Sequence, residues 1–246
     1  MDVLKKIIKK IEYYAFISFI LKDFFVFKKK NKKSSRFTVS VRDFYPCISD
    51  KKNTTDFDRH YLYHTAWAIR KVKEINPKFH IDIGSSLYFC SLLSAFIPVE
   101  FYDYRPPVLE LDNLKVRRGN LMSLPFKDNE VKSISCMHTI EHIGLGRYGD
   151  SIDSEGDLRA IEELKRVLAP GGSLLLVVPI GIPKIMFNAH RIYSYDQIRE
   201  YFKGFALKEF SLIQETGGGG IMKNVSKEIA DKERYGCGCF WIINKN

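Results

Sequence analysis

The segment HTIEH, residues 138–142, places two histidines and a glutamate close together in the chain. Imidazole and carboxylate side chains can take a proton from a reacting hydroxyl group, which typically accelerates a reaction about 10²- to 10⁴-fold. We predict His142 as the first candidate for such a base, followed by His190 in the later segment NAHRIYS. Glu141 is the third catalytic candidate, although capping of the next segment would explain Glu141 and His142 equally well.

The same segment fits the H-x-x-E-H pattern of one class of zinc metallopeptidases, with His138 and His142 as ligands and Glu141 as the base. That chemistry requires both histidines on one face of a helix. The preceding residues SISCM favour a strand, and Gly144 would end a helix almost at once. Zinc hydrolysis is therefore kept only as a minor alternative and no metal site is predicted, since the segment CGC at 237–239 has no second Cys/His pair beside it.

A second candidate site begins in HIDIGSS, residues 80–86, where a strand-like run turns into a helix-like one. Gly84 lets the backbone approach a ligand closely, and Ser85 can cap the helix while still offering a hydroxyl group. Asp103 ends the next strand-like run, VEFYDY. An acidic residue at that place accepts hydrogen bonds from the two hydroxyl groups of a ribose, so the two features predict a site for a ribose-containing cofactor.

These residues need a scaffold that brings the ends of neighbouring strands together. Strand-like and helix-like segments alternate from residue 78 onwards, which predicts a mostly parallel sheet with helices on both faces and ligands at its carboxyl edge. The last two apolar runs, FALKEFSLI and CGCFWIIN, could pair antiparallel, and APGG is expected to separate a helix from a strand. We predict helices at 57–75, 86–96, 157–168 and 195–202, and strands at 78–84, 99–104, 131–137 and 173–179, with a short segment at 114–119.

The order of these segments resembles that of class I S-adenosylmethionine-dependent methyltransferases over residues 78–215. The run HTIEHIGLGRYGDSIDSEGDL with the later NAHRIYS resembles more closely a domain-of-unknown-function branch of that superfamily, whose members often accompany surface-glycan biosynthesis genes. The resemblance implies an α/β, Rossmann-like, seven-stranded and mostly parallel sheet with an antiparallel last strand. It also implies S-adenosyl-L-methionine as the cofactor and O-methylation of a sugar or glycan precursor of a cell-surface polysaccharide.

Carried over position by position, the resemblance places the ribose of the cofactor on Asp103 and the methionine end over His138. Two departures from the general pattern stand out: the turn has only one glycine, Gly84, and Asn120 stands where an aspartate is usual. The predicted cofactor-binding residues are Asp82, Gly84, Ser85, Asp103, Tyr104, Asn120, Leu121 and His138.

A nicotinamide cofactor would use a similar strand and acidic residue. Its pyrophosphate, however, needs a second and a third glycine for close backbone approach, and here those positions carry side chains. A sulfonium cofactor has no phosphate to bind. The single-glycine turn therefore favours a methyl donor.

The acceptor is expected beside the Gly- and Asp-rich loop GLGRYGDSIDSEGD, residues 144–157. The offsets of its acidic residues do not match a calcium loop. Arg147 and Arg191 could neutralise a phosphate of a nucleotide-sugar or a lipid-linked glycan, although surface solvation explains them as well. The predicted acceptor-binding residues are Arg147, Tyr148, Asp150, Asn188 and Arg191.

The positive charge is concentrated at one end of the chain. Residues 1–36 hold 11 Lys/Arg and 3 Asp/Glu, a net charge of +8 out of +10 for the whole chain. A groove for nucleic acid would need basic residues spread over the folded body, so no nucleic-acid partner is expected. Residues 1–36 are predicted to form a basic amphipathic segment that contacts an anionic membrane surface or packs on a partner, and residues 37–246 the methyltransferase-like domain.

Five cysteines in scattered, mostly apolar contexts are typical of reduced thiols, and no cleavable export signal is recognised. We therefore expect a cytoplasmic location, with the inner membrane surface as the place of any contact. A protein that binds the cofactor without catalysis, or a scaffold of a glycan-assembly complex, is the alternative from another functional class. The sequence does not determine the oligomeric state.

Overall fold

The computed structural model describes residues 2–33, 36–48, 50–217 and 219–245. The chain divides into two compact units, Met1–Phe57 and Asp58–Asn246. The structural division therefore falls after Phe57, whereas the sequence predicted a boundary after residue 36.

The first unit is dominated by one long helix, α1, Asp2–Asn31, followed by a 3-10 turn at Val41–Asp43. Ile7, Ile11, Tyr14 and Phe25 are exposed, and helical geometry places them along one side of α1. Other exposed aromatic rings, such as Phe27, lie elsewhere around the helix, so its apolar surface is broader than a single stripe. Among the described residues, none of the helices has the length and apolar character needed to cross a membrane.

The second unit contains an eight-stranded sheet rather than the seven strands expected. Its first half, in chain order, consists of α2 (Arg59–Ile75), β1 (His80–Ile83), α3 (Leu87–Ser94), β2 (Val99–Asp103), β3 (Leu114–Arg118) and β4 (Val131–Met137). After a 3-10 turn at Ile140–His142 come α4 (Gly156–Val167), β5 (Leu168–Ile180), β6 (Lys184–Met186), β7 (His190–Ile192) and α5 (Tyr195–Tyr201). The remaining elements are β8 (Ala206–Ile213), β9 (Met222–Lys223), α6 (Lys227–Ala230) and β10 (Gly236–Ile243).

The strand order of the large sheet is β3-β2-β1-β4-β5-β10-β8-β9, and β6 pairs with β7 in a separate ribbon. The pairs among β1 to β5 are parallel, while β10 is antiparallel to both β5 and β8. The expected antiparallel pairing of the last two long strands is therefore present. The extra strand is β9, which adds two residues antiparallel to β8.

Helices cover both faces of the sheet, as the alternation of segments predicted. Along β5, Leu174 and Leu176 belong to the core beneath α4 and α5, and Leu175 and Val177 to the core beneath α2 and α3. This two-residue alternation follows from the geometry of a strand whose two faces are both buried. Packing on both faces therefore holds the strands of the sheet, and their carboxyl ends, in place.

One boundary differs from the sequence prediction. The segment APGG, residues 169–172, does not separate α4 from the strand but lies inside β5. Val131 pairs with Leu168 and Ser133 with Ser173, so the register of β4 and β5 shifts across this segment. An irregular pairing lets the chain pass from helix to strand without a separate loop.

Candidate functional site

Three parallel strands, β1, β2 and β4, end side by side, and the residues that follow them line one pocket. Gly84 follows β1, Asp103 ends β2 and His138 follows β4. The structure therefore brings together the two features that the sequence identified far apart. Other residues that line this pocket, called here the cofactor-side pocket, include Ile83, Tyr104, Gly119, Asn120, Leu121, Thr139, His142 and Ile143.

Gly84 makes the tight turn at the floor of this pocket. Its φ of +66° is a left-handed conformation that favours glycine, and its N–H donates to the carbonyl oxygen of Tyr102 at 2.8 Å. A Cβ atom at this position would lie 2.7 Å from Cγ2 of Thr139. The pocket therefore depends on the absence of a side chain at residue 84.

Asp82 and Ser85 lie beneath the pocket and shape the turn. The Asp82 carboxylate is fully buried and accepts hydrogen bonds from the Ser85 N–H, at 3.0 Å, and from the Ser135 hydroxyl. The Ser85 hydroxyl in turn accepts from the Met137 N–H at 3.0 Å. Neither side chain lines the cofactor-side pocket, so their direct contact with a cofactor stays a prediction. Their hydrogen bonds do stabilise the turn that follows β1.

Burial also changes the acidity of this group. It raises the pKa of Asp82 to about 6, although the hydrogen bonds from Ser135 and Ser85 act in the opposite direction. Ser135 also lies 2.8 Å from Nε2 of His80, whose other ring nitrogen is 2.8 Å from Ser133. A buried polar chain therefore runs from His80 to the carboxylate that holds the turn.

Asp103 and Tyr104 lie at the wall of the pocket formed by the end of β2. Asp103 Oδ1 accepts a hydrogen bond from the Arg105 N–H at 2.7 Å, which fixes the carboxylate at the pocket edge. The Tyr104 ring is exposed and has the Arg118 guanidinium 5.7 Å from its centre. This arrangement leaves Asp103 able to accept hydrogen bonds from ligand hydroxyl groups.

Asn120 and Leu121 follow β3, the strand beside β2, and also line the pocket. Asn120 Oδ1 accepts from the Met122 N–H at 3.0 Å, so its carbonyl oxygen shapes a turn. Leu121 is buried and offers an apolar surface to the pocket. The pocket lining thus combines the acidic Asp103, which suits a ribose, with the apolar Leu121 and Ile143, which suit an aromatic base.

A second pocket, the acceptor-side pocket, adjoins the first. The two share Gly84, His138, His142 and Tyr148. Residues that line only this pocket include Asp58, His60, Tyr61, Ser86, Glu141, Arg147, His190 and Tyr235. The shared residues therefore stand at the junction of the two cavities.

His142 is held at this junction by the β6–β7 ribbon. Its Nδ1 lies 2.7 Å from the carbonyl oxygen of Ala189, which can only accept, so Nδ1 carries the hydrogen. The Nε2 atom is then free of hydrogen in the neutral ring, and burial lowers the pKa of His142 below its usual value. A neutral imidazole with an available Nε2 lone pair is the form needed in a general base.

Glu141 is almost completely buried beside two histidines. Its Oε1 atom lies 2.9 Å from Nδ1 of His138 and 3.9 Å from Nε2 of His142. Burial by itself would lower the pKa of His138, but the interactions with Cys237 and Glu141 outweigh it and raise that pKa. Because Glu141 is hydrogen-bonded to His138, its geometry suits a residue that positions His138 better than it suits a base.

His190 reaches the acceptor-side pocket from β7. Its ring centre lies 4.9 Å from that of Tyr235 and 6.5 Å from that of His142. Burial lowers the pKa of His190, and its Nε2 atom has no hydrogen-bond partner among the described residues. The second base candidate is therefore close to the first.

The predicted acceptor residues separate into two groups. Arg147 donates to the Ala189 carbonyl at 2.9 Å and, like Tyr148, lines the acceptor-side pocket. Asp150 lines the cofactor-side pocket, but its carboxylate accepts hydrogen bonds from the N–H groups of Gly144, at 2.7 Å, and Tyr148, at 3.1 Å. Asp150 therefore stabilises the backbone of the loop that follows β4.

Arg191 and Asn188 lie away from both pockets. Arg191 is buried, pairs with Asp157 at 3.4 Å and donates to the Ile143 carbonyl oxygen at 2.7 Å. Asn188 is exposed between β6 and β7. The structure therefore places Arg191 in the support of the loop after β4, instead of among the groups that face an acceptor.

Sequence reasoning missed the residues that α2 and β10 bring to the acceptor side. His60 and Tyr61 lie in the first turn of α2, and Tyr235 directly precedes β10. No spacing links them to HTIEH, because they meet only when β10 inserts beside β5. The zinc-peptidase interpretation of HTIEH lacks its helix, since residues 140–142 form a single 3-10 turn and His142 is bound to Ala189.

Comparisons with known proteins relate the chain to one family of unknown function and to methyltransferases. A family model described as "Caenorhabditis protein of unknown function, DUF268" matches residues 126–224, a range that includes HTIEH and NAHRIYS. A demethylmenaquinone methyltransferase of Bacillus cytotoxicus is 25% identical over 197 residues, which are 72% of this chain and 78% of that protein.

Two solved structures share the fold. The YcgJ protein of Bacillus subtilis matches with a TM-score of 0.54 and 14% identity, over 75% of this chain and 99% of that one. The N-methyltransferase NodS of Bradyrhizobium japonicum, in complex with S-adenosyl-L-homocysteine, matches with a TM-score of 0.52 and 14% identity, over 78% of this chain and 90% of that one.

Proposed function

From the class I S-adenosylmethionine-dependent methyltransferase fold and the sequence similarity to a curated methyltransferase, we propose that this protein transfers a methyl group to a hydroxyl group of its acceptor. The predicted resemblance to class I S-adenosylmethionine-dependent methyltransferases, the Rossmann-like fold and the cofactor are confirmed by these similarities, whereas the association with surface-glycan biosynthesis stays a prediction. The identity of the acceptor and the role of each residue are proposals.

The observation that carries the proposal is the junction of the two pockets at His142. S-adenosylmethionine fits the cofactor-side pocket, because Asp103 can accept from its ribose hydroxyl groups and Leu121 can cover its adenine. When bound, this cofactor supplies an activated methyl carbon. Alignment of the acceptor oxygen with that carbon can contribute about 7 to 11 kcal/mol to the barrier reduction.

The chain's own contribution to the chemistry lies at Nε2 of His142. The hydrogen bond from Nδ1 to Ala189 fixes the ring and its tautomer, so the lone pair of Nε2 is available to take the proton of an acceptor hydroxyl group. His190 and Arg147 line the same pocket, and Nη1 of Arg147 lies 3.2 Å from Nδ1 of His142. Arg147 can there face a phosphate or another anionic part of the acceptor.

We propose a sugar or glycan precursor as the acceptor class. Three tyrosines, Tyr61, Tyr148 and Tyr235, line the acceptor-side pocket together with imidazole and guanidinium groups. Aromatic faces beside a few polar groups suit a ring that is apolar on one face and carries hydroxyl groups at its rim. A nucleotide-sugar or a lipid-linked glycan of a cell-surface polysaccharide combines such a ring with a phosphate for Arg147.

The test is methyl transfer by the full chain from labelled S-adenosylmethionine to a panel of nucleotide-sugars, with demethylmenaquinone as a comparison acceptor. Formation of S-adenosylhomocysteine with a sugar acceptor, and its loss in His142→Asn, is expected. If demethylmenaquinone were the only acceptor methylated, the proposed sugar acceptor would be wrong and a quinone would take its place. Cofactor binding without turnover on any acceptor would favour the alternative of a non-catalytic or scaffold protein.

We also propose that α1 makes peripheral contact with an anionic membrane. Its side with Ile11 and Phe25 is apolar and exposed, and Lys28, Lys29 and Lys30 occupy its last turn. The double variant Ile11→Asp with Phe25→Asp should lose sedimentation with vesicles containing phosphatidylglycerol. Phe27→Asp, on the other side of the helix, is the matched control, and equal loss from both would contradict a defined membrane face.

A further inference from the structure

Three side chains able to bind a metal converge beside the acceptor-side pocket, although 177 positions separate the first from the last. They are His60 in the first turn of α2, His138 after β4, and Cys237 near the start of β10. One ligand atom from each lies within 4.8 Å of the other two. Because β10 runs antiparallel to β5, it begins at the edge where β4 ends, and this brings Cys237 to His138.

The distance between two of these atoms matches a shared ion. His138 Nε2 lies 3.4 Å from Cys237 Sγ. Zinc binds imidazole nitrogen at about 2.0 to 2.1 Å and thiolate sulfur at about 2.3 Å, so two such ligands in a tetrahedron stand about 3.6 Å apart. The observed separation is close to that value without any rearrangement of the strands.

A second observation concerns the other nitrogen of His138. Its Nδ1 lies 2.9 Å from Oε1 of Glu141, a carboxylate with only 1% of its surface exposed. When Nδ1–H donates to this carboxylate, the Nε2 lone pair points to the Cys237 side. Metal-binding histidines commonly have such a carboxylate partner, which fixes the tautomer and makes the ligand more basic.

The carboxylate itself also bears on this site. The Oε2 atom of Glu141 is buried and has no hydrogen-bond partner in the part of the chain that the structure describes. An unpaired buried carboxylate oxygen is costly, and a nearby cation would compensate for it. The cluster therefore has a thiol and two imidazoles close to a buried carboxylate that has one unpaired oxygen.

We propose that His60, His138 and Cys237 bind one zinc ion whose fourth ligand position faces the acceptor-side pocket. Two imidazoles and one thiolate are a ligand set that suits zinc, and three protein ligands with an open position are typical of zinc sites that bind a substrate. The open position would take an oxygen or sulfur atom of the acceptor, and this part rests on the proposed methyltransferase function. Zinc binding itself does not depend on it.

The site differs from the zinc-peptidase pattern read in HTIEH. That pattern uses His138 with His142, whereas the geometry pairs His138 with His60 and Cys237. The sequence predicted no metal site, because the segment CGC at 237–239 has no second Cys/His pair beside it and no motif links Cys237 to His60 or His138. Only the tertiary structure assembles this set.

The experiment uses the full chain, stripped with a chelator and then titrated separately with Zn²⁺ and with Co²⁺. We expect one zinc per chain by elemental analysis, and a thiolate-to-cobalt charge-transfer band in the near ultraviolet that zinc abolishes. Cys237→Ser should lose the band, and His60→Asn should lose most of the zinc affinity.

Two matched variants control for these substitutions. Cys90→Ser removes another buried thiol, and His190→Asn removes another imidazole of the same pocket. Both should keep the metal stoichiometry and the cobalt band. Circular dichroism of each variant reports whether it folds, and if Cys237→Ser does not fold, the band of the wild-type chain decides whether a thiolate is a ligand.

Failure to bind either metal, or a cobalt spectrum without the thiolate band, would overturn the proposal and leave the two imidazole rings and the thiol as ordinary packing. Zinc retained by folded Cys237→Ser would overturn it as well. A parallel titration with S-adenosylhomocysteine separates the two hypotheses, because cofactor binding without zinc refutes only the metal site, and zinc without cofactor binding refutes only the methyltransferase proposal.

Discussion

The Nδ1 atom of His142 lies 2.7 Å from the carbonyl oxygen of Ala189, which joins the turn after β4 to the β6–β7 ribbon. This contact leaves Nε2 as the ring nitrogen that can accept a proton, and His142 lines both pockets. His142→Asn should lower the methyl transfer rate about 10²- to 10⁴-fold, the usual contribution of a general base, while the affinity for S-adenosylhomocysteine stays unchanged. Initial rates and calorimetric titration of the same preparations measure the two effects.

The pH dependence of this rate has a defined direction. Burial lowers the pKa of His142, so the neutral base is already dominant at pH 7. The rate kcat/KM should fall as the pH decreases through that lowered pKa, below 6.5, and stay constant above it. A pH profile that keeps the same acidic limb in His142→Asn would assign the titration to another group, with His190 the next candidate.

Asp103 can be tested through cofactor affinity. Hydrogen bonds to a charged group contribute about 1.5 to 3 kcal/mol each, so Asp103→Ala should weaken the binding of S-adenosylhomocysteine by at least about tenfold. Asp112→Ala, an exposed aspartate of the same region, is the matched control. Equal affinity of the wild type and Asp103→Ala in calorimetry would remove Asp103 from the cofactor site, and NAD should give no heat with either.

Gly84 combines two constraints that a pair of variants can separate. Gly84→Ala forces a side chain into a φ of +66° and within 2.7 Å of Thr139 Cγ2, whereas Gly171→Ala has nearly the same φ, +69°, and open space around its Cβ. Gly171→Ala should cost about 1 to 2 kcal/mol in the free energy of unfolding. Gly84→Ala should cost more and should also abolish cofactor binding, as urea denaturation and calorimetry can show.

Asp82 links the cofactor turn to the pH dependence of stability. Its pKa in the folded state is raised to about 6 from an ordinary 3.8, so the folded chain binds the proton more tightly than the unfolded chain. The free energy of unfolding should therefore fall as the pH rises from 4 to 6, by up to about 1.4 kcal/mol per pH unit from this group. Asp82→Asn should remove that decline, and parallel pH profiles of the two proteins would contradict the assignment.

Arg191 and Arg147 make a contrasting pair. Arg191 is buried against Asp157 and backbone carbonyl oxygens, so Arg191→Met should lower the free energy of unfolding by about 3 to 5 kcal/mol by leaving a carboxylate unpaired. Arg147 is exposed at the acceptor-side pocket, and Arg147→Gln should raise the KM for a phosphorylated acceptor with little change in stability. If Arg191→Met instead raised the KM and left the free energy of unfolding unchanged, Arg191 would belong to the acceptor site.

Local patterns in the sequence were enough to predict the alternation of strands and helices, the turn at Gly84 and the acidic residue at the end of β2. These features are local, because hydrophobic periodicity and turn chemistry act over a few residues. The positions of the long helices and strands agree with the structure to within a few residues. The antiparallel pairing of β8 with β10 was also readable from two apolar runs at the end of the chain.

Which polar side chains line the pockets could be read only from the folded chain. Arg191 and Asp150 have residue types typical of a binding site, but the loop between β4 and α4 needs their charges for its own backbone and carboxylate partners. His60, Tyr235 and Cys237 come from α2 and from the chain around β10, and their meeting with His138 depends on the insertion of an antiparallel strand. These residues are far apart in the chain, so the hydrophobic periodicity of any single segment cannot predict that they meet.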